Sequence, residues 1–248
     1  MNSRWSTIYC GHMEWKLHKV ILSSGTDWFH TTISEGSTDE VRIQDQDPEA
    51  VGWVLEWIYA GVVLAPAFEE ASTRYGALIR LFQCAQYFNL NGLCNDCVNR
   101  IEQILLETSG RVQYSVQCGF DGNRILGLDD LEGFIDGVTR AYELDDGTRL
   151  RSAFTKFLTD CHFWIILDLD FRRKGQEMPA FWQCVLEGLM EAVADDRYGY
   201  PAECIRCGRD PTEGSSIRWS SIHACIPAPE GVCDRCVPLE FGQVFKLE

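Results

Sequence analysis

The sequence predicts an α+β protein: a short sheet packed with helices at the N-terminus, an all-helical middle region, and a small loop-rich C-terminal segment. Three observations lead there. Short runs that alternate polar and apolar residues gather in the stretch before Asp47. From Asp47 to Val193 apolar residues recur at i, i+3, i+4 and i+7, the spacing of one helix face. From Tyr198 onward Gly, Pro, Ser and paired cysteines replace that periodicity. The expected boundaries are 1–107, 108–197 and 198–248.

In order along the chain, Thr7 to Cys10 and Glu14 to Leu17 flank Gly11-His12 and read as a small hairpin. A helix is expected from Lys19 to Ser24, ended by Gly25, and a second with Asp27, Trp28, Phe29 and Ile33 before a Gly36-Ser37 turn. Glu40 to Ile43 alternates as a strand would. The clearest helix starts at Asp47, whose carboxylate can accept from first-turn N–H groups, followed by Pro48 where no donor is lost. Val51, Val54, Leu55 and Ile58 form its apolar face, Trp53 and Trp57 widen it, and Gly61 stops it. Val62 to Leu64 is an extended exit and Pro66 to Thr73 a loop. Further helices are expected over Tyr75 to Phe88 and Leu93 to Leu106, separated by a break at Asn89 to Gly92. Ser109 to Gly127, with a β-like run Val112 to Val116, reads as a joint. Helices then follow over Asp129 to Leu144, Arg149 to Thr159, His162 to Leu169 and Pro179 to Val193.

Of the 248 residues 46% are apolar, enough for a full core. Asp and Glu number 37 against 22 Lys and Arg, a net charge of −15, so a phosphate backbone is repelled unless the cations gather on one face. The longest basic run, Arg172 to Lys174, lies beside Asp168, Asp170 and Glu177 and reads as a solvated helix end. The apolar stretch Val51 to Phe68 contains Glu56, Gly61 and Pro66, which argues against a membrane span. The N-terminus lacks the basic start and apolar core of a secretory signal, so an intracellular, reducing compartment, cytoplasmic or nuclear, is expected. There the twelve cysteines read as metal ligands where paired and as small core residues where single.

The run Trp15-Lys16-Leu17-His18-Lys19-Val20-Ile21-Leu22-Ser23-Ser24, then Trp28-Phe29, Asp47-Pro48-Glu49-Ala50-Val51 and Leu55-Glu56-Trp57-Ile58-Tyr59-Ala60-Gly61, resembles a BTB/POZ domain of the filamentous-fungal type. Phe82, Cys84, Ala85, Tyr87, Phe88, Leu90 and Leu93 are similar to the helix pair that closes that fold. The resemblance covers Ser6 to Leu106. The middle segment, with Tyr142 to Asp146 and the Leu150-Arg151 helix, is similar in pattern to the helical region that often follows the domain. The resemblance implies a protein-interaction module rather than an enzyme, one that self-associates or recruits a cullin into a ubiquitin ligase. The first strand starts almost at the N-terminus, so the strand that some animal BTB domains exchange between subunits is expected to be missing. Trp53 and Trp57 read as core first and interface second, and the His18 imidazole as satisfying a buried backbone group. No catalytic motif accompanies it.

Cys204-Ile205-Arg206-Cys207 and Cys233-Asp234-Arg235-Cys236 are two C-x-x-C pairs with 25 residues between them. Two intervening residues let a tight turn bring both sulfurs to one ion, about 2.3 Å away, and two such turns complete a tetrahedron. The expected cofactor is a structural Zn²⁺ on Cys204, Cys207, Cys233 and Cys236, in a ribbon- or knuckle-like segment. The separation exceeds the commonest spacing of about 15–20 residues. His223 or Cys225 is an alternative outer ligand, and free thiols are a third reading. Cys94-Asn95-Asp96-Cys97 stands in a predicted helix, with Cys97 expected in the core and Cys94 half-exposed. Cys10, Cys84, Cys118, Cys161 and Cys184 read as packing residues. Cys161-His162 is a weak dyad, because helix neighbours point about 100° apart.

The expected function is non-enzymatic assembly or adaptor work through protein partners. The alternatives are a substrate adaptor of a cullin-type ubiquitin ligase and, third, a transcriptional cofactor or DNA binder through the zinc segment. The five basic and seven acidic residues from Pro201 to Glu248 weigh against the last.

Overall fold

A computed structural model describes residues 4–35, 39–117, 125–194, 219–223 and 230–233. The chain divides into two compact units, Met1–Ile104 with Leu128–Ala153, and Leu105–Gly127 with Phe154–Glu248.

The first unit begins with an antiparallel hairpin of β1 (Trp5–Cys10) and β2 (Met13–His18), in which Cys10 faces Met13 and leaves Gly11 and His12 as the turn. β3 (Glu40–Ile43) pairs in parallel with the other side of β1, giving the order β2-β1-β3. Parallel neighbours cannot be joined by a tight turn, so the chain crosses over through α1 (Lys19–Gly25) and α2 (Asp27–Glu35). Ile8, Cys10, Val41 and Ile43 are buried, as period-two alternation predicts. The Gly36-Ser37 turn lies outside the described residues.

α3 (Pro48–Ala60) starts and stops where the sequence indicates. Asp47 is extended at its N-cap, and its carboxylate accepts from the N–H groups of Glu49 at 2.9 Å and Ala50 at 3.4 Å. Replacing such a cap with alanine costs about 1 kcal/mol. Gly61 adopts the left-handed conformation (φ 71°) and donates its N–H to the Trp57 carbonyl, closing the helix. A 3-10 turn at Pro66–Phe68 leads to α4 (Arg74–Tyr87), which Asn89 ends in a left-handed conformation (φ 56°). α4 is buried along most of its circumference, from Tyr75 through Ile79 and again at Leu81, Phe82, Cys84 and Ala85.

α5 (Asn91–Gln117) corrects two expectations. Neither Ser109 nor Gly110 breaks it, and the β-like run Val112 to Val116 is helical. Ser109 donates its hydroxyl to the Leu106 carbonyl and Val112 is fully buried, so tertiary packing overrides the local β-preference of Val112 to Val116. The expected boundary at 107/108 therefore falls inside a helix.

α6 (Leu128–Glu143) and the start of α7 (Thr148–Asp160) belong to the first unit. α6 lies against α4, with Arg74 and Asp130 paired at 2.7 Å and the rings of Tyr75 and Phe134 edge-to-face at 6.4 Å. The close approach depends on Gly133: a Cβ there would drive into the Ala71 carbonyl oxygen. Arg151 donates to the carbonyls of Ala141 and Leu144, satisfying the free end of α6.

In the second unit the expected helix over His162 to Leu169 is replaced. His162 (φ 52°) and Phe163 (φ 55°) are both left-handed, which stops α7, and a 3-10 turn at Trp164–Leu167 precedes α8 (Leu169–Gln176) and α9 (Pro179–Ala194). Asp168, fully buried, caps α8 by accepting from Asp170 and Phe171 N–H at 3.0 Å with one oxygen. Its other oxygen accepts from Ile125 N–H at 2.7 Å and Leu126 N–H at 3.3 Å. Arg173 and Lys174 sit in the last turn of α8, where cations offset the helix dipole. β4 (Trp219–His223) and β5 (Glu230–Cys233) pair antiparallel. Among the described residues no helix is long and apolar enough to cross a membrane.

The glycine at position 133 predicts its own test. Gly133→Ala should lower stability by about 1–3 kcal/mol through overpacking. Gly110→Ala, in open space on α5, should raise it by roughly 1 kcal/mol. Denaturant unfolding of both variants checks this, and equal effects of the same sign would contradict the packing described.

Candidate interaction surface

Two concavities mark the first unit. The first is an apolar groove of about 200 Å³ formed where α3, its exit, α4 and α5 meet. Its walls are Trp57, Val62, Val63, Phe68, Leu78, Leu81 and Leu93, and Asp96 and Arg100 stand at its polar end. Arg100 pairs with Glu69 and lies over the Phe68 ring at 5.9 Å. The two tryptophans, expected as one face, divide. Trp53 is buried, edge-on to Phe68 at 5.0 Å with the Arg80 guanidinium over its ring at the same distance. Trp57 is half-buried and lines the groove, and its Nε1 is buried without an acceptor among the described residues.

The second concavity, about 410 Å³, is polar, with Asp45, Asp47, Asp145 and Asp146 around Arg80 and Gln83. Arg80 contacts Asp47 at 2.7 Å and Glu49 at 3.1 Å, tying α4 to the N-terminus of α3. Burial alone would raise the Asp47 pKa. The Arg80 guanidinium and the N–H groups of Glu49 and Ala50 outweigh it and hold that carboxyl below the usual carboxylate range.

His18 corrects an expectation. Its ring does not bind a backbone group: it packs on Trp5 at 3.8 Å between centroids, and Nδ1 lies 3.5 Å from the Tyr59 hydroxyl. The Tyr59 oxygen instead accepts from the His18 backbone N–H at 2.6 Å. The tyrosine at the end of α3 thereby fastens the sheet edge, a contact that sequence spacing gives no sign of.

Cys10, Cys84, Cys94, Cys97 and Cys161 are all buried, and Cys184 is partly exposed. Cys94, expected half-exposed, points inward, with its thiol 3.9 Å from the Phe82 carbonyl. Burial raises the thiol pKa of Cys94 to about 11 and of Cys84 and Cys161 to about 12, and it raises Cys97 further. The Cys161 thiol donates to the Leu158 carbonyl while the His162 ring packs on Trp164, so the pair forms no dyad. Cys118, Cys204, Cys207, Cys225 and Cys236 lie outside the described residues, and for His223 and Cys233 only the strand backbone is described. Among the described residues no group of three or more His, Cys, Asp or Glu is placed to hold a metal.

Residues 6–105 match the BTB/POZ domain family model, and that segment is a BTB/POZ domain. Such domains are protein–protein interaction modules that also mediate dimerisation. The BTB domain of zebrafish PATZ1 is similar at 17% identity, covering 40% of this chain and 75% of that one, with a TM-score of 0.33. The BTB (Tramtrack and Bric a brac) domain of human Gigaxonin is also similar, at 17% identity, 37% and 72% coverage and a TM-score of 0.31. No curated protein matches the chain.

Two measurements follow from this chemistry. The folded pKa of Asp47 lies below its unfolded value, so its charge stabilises the fold above about pH 4 and that contribution is lost as pH falls through the depressed value. Asp47→Asn, which keeps a capping oxygen, should be less stable at neutral pH by under about 1 kcal/mol, with the gap closing in acid. Iodoacetamide at neutral pH should spare Cys10, Cys84, Cys94, Cys97 and Cys161 in the folded protein and label Cys184, as read by peptide mass spectrometry.

Proposed function

We propose that this chain is a non-enzymatic assembly protein of the filamentous-fungal BTB type, intracellular, which acts as an adaptor through its N-terminal domain. The observation that carries the reading is the BTB/POZ match over residues 6–105 together with the apolar groove that this domain presents to solvent. A chain of net charge −15 suits protein partners better than nucleic acid. The second reading, a substrate adaptor of a cullin-type ubiquitin ligase, is favoured by α6, which packs in the same unit as the BTB helices and enlarges the surface available to a partner. On that reading the C-terminal segment grips the substrate.

That segment is proposed to hold one structural Zn²⁺ on Cys204, Cys207, Cys233 and Cys236. Four thiolates suit zinc, and a closed set leaves no open position for catalysis. The β4–β5 register supports this set over one that includes His223. Cys233 faces Trp219 at the open end of the hairpin, whereas His223 faces Glu230 at the end nearer the connection. Three residues of strand, roughly 10 Å, separate the two ends.

Native mass spectrometry of the full chain tests both proposals at once. One zinc per chain, lost on Cys233→Ser with Cys236→Ser, is expected, with a dimer or a stoichiometric cullin complex as the assembled species. A metal-free monomer that binds no cullin would sink the reading.

A further inference from the structure

The order β2-β1-β3 leaves one side of β2 open. Which of its residues face that side follows from the alternation of an antiparallel ladder. The Thr7 N–H donates to the Asp39 carbonyl on the β3 side, so Thr7 and its register partner Lys16 turn their main-chain groups away from each other. Two residues on, the His18 N–H donates to the Tyr59 hydroxyl rather than to β1, which gives the same phase. The N–H and C=O groups of Glu14 and Lys16 therefore point out of the sheet edge, and none has a partner among the described residues. Both side chains are exposed on one face of the strand. Met13, Trp15 and Leu17 are half-buried on the other, where Trp15 packs against Gly52 of α3.

Charged side chains on an edge strand ordinarily deter pairing. Here the two charges are opposite and lie two residues apart, which turns deterrence into selection. We propose that β2 pairs antiparallel with β2 of a second copy about a two-fold axis at Trp15, joining two sheets into one. This rests on the reading of the N-terminal domain as an assembly module and names its partner and surface. With Trp15 opposite Trp15 of the second copy, each Glu14 stands opposite a Lys16, giving one ion pair on either side of the axis. The same residues exchange their outward main-chain hydrogen bonds. Competing registers fail. A slip of two residues sets Glu14 against Glu14 or Lys16 against Lys16, and a slip of one sets outward groups against inward ones. The slip that joins the lysines also meets His18, whose N–H is already held by Tyr59. The net charge of −15 opposes association at long range. Cross-strand pairs about 5 Å apart act inside the screening length of about 8 Å, whereas charges spread over the surface are screened.

Charge exchange in the full-length chain tests the pairing. Glu14→Lys and Lys16→Glu each set like charges against each other on both sides of the axis. Either alone should weaken the self-association made through β2 by about tenfold or more in sedimentation velocity. Mixed in equal amounts, the two variants again oppose unlike charges and should recover native association, as should the chain carrying both substitutions. Mixing would not repair a folding defect, so recovery separates pairing from stability. A water-soluble carbodiimide applied to a mixture of unlabelled and isotope-labelled native chains should join Glu14 of one to Lys16 of the other, as read by peptide mass spectrometry. Variants that associate as the native chain does, a mixture that fails to recover, or no link between labelled and unlabelled chains would overturn the pairing. If it is overturned while native mass spectrometry still finds a dimer or a cullin complex, only this edge is wrong. A monomer that binds no cullin takes the assembly reading with it.

Discussion

The first unit is organised by the need to enclose α4. Most helices of a small domain keep a polar face for water. α4 has almost none, because Tyr75, Ala77, Leu78, Ile79, Leu81, Phe82, Cys84 and Ala85 are all buried. A helix that is apolar around most of its circumference must be surrounded, and its neighbours are arranged to do so. α3 and the 3-10 turn at Pro66–Phe68 pack against it, and α6 lies against it where Gly133 clears the Ala71 carbonyl. The few polar groups α4 carries are used as fasteners. Arg74 reaches Asp130 on α6 and Arg80 reaches Asp47 at the head of α3, so the same helix that fills the core also fixes the angles of what covers it.

This accounts for why α6 groups with the N-terminal elements rather than with the helices that follow it. The residues that follow the BTB/POZ segment were expected to begin a separate helical region, and α6 instead joins the N-terminal unit because α4 leaves an apolar face that needs covering. The groove beside Trp57 is what remains on the opposite side of the same problem. There Gly61 turns the chain away from α3, and Leu78 and Leu81 are left with Val63 and Phe68 as their cover.

Legibility in the sequence followed how local the cause was. α3 could be read to the residue because its signals are adjacent in the chain: Asp47 and Pro48 at one end, Gly61 at the other. The hairpin, the strand at Glu40 and the helices α4, α6, α7 and α9 were visible in periodicity alone. What was hidden depends on distant groups. The length of α5 turns on the burial of Val112, the stop at His162 and Phe163 on two consecutive non-glycine residues in the left-handed conformation, and the inward turn of Cys94 on the Phe82 carbonyl. Of the candidate site, Trp53 and Trp57 were legible as a pair. Their division into core and groove was not, because it depends on Phe68 and Arg80, which approach from other elements.

Asp168 shows how narrow the choice of residue becomes when one side chain answers to two segments at once. Its two oxygens receive four backbone N–H groups, two from the start of α8 and two from residues 125 and 126. An ionised carboxylate is the side chain that offers acceptors in every direction and no donor. Asparagine has the same shape but would turn an NH₂ group toward donors already in place. Glutamate has the chemistry but an extra methylene that the cap geometry and full burial do not accommodate. The repertoire that drift can explore at this position is therefore close to a single letter.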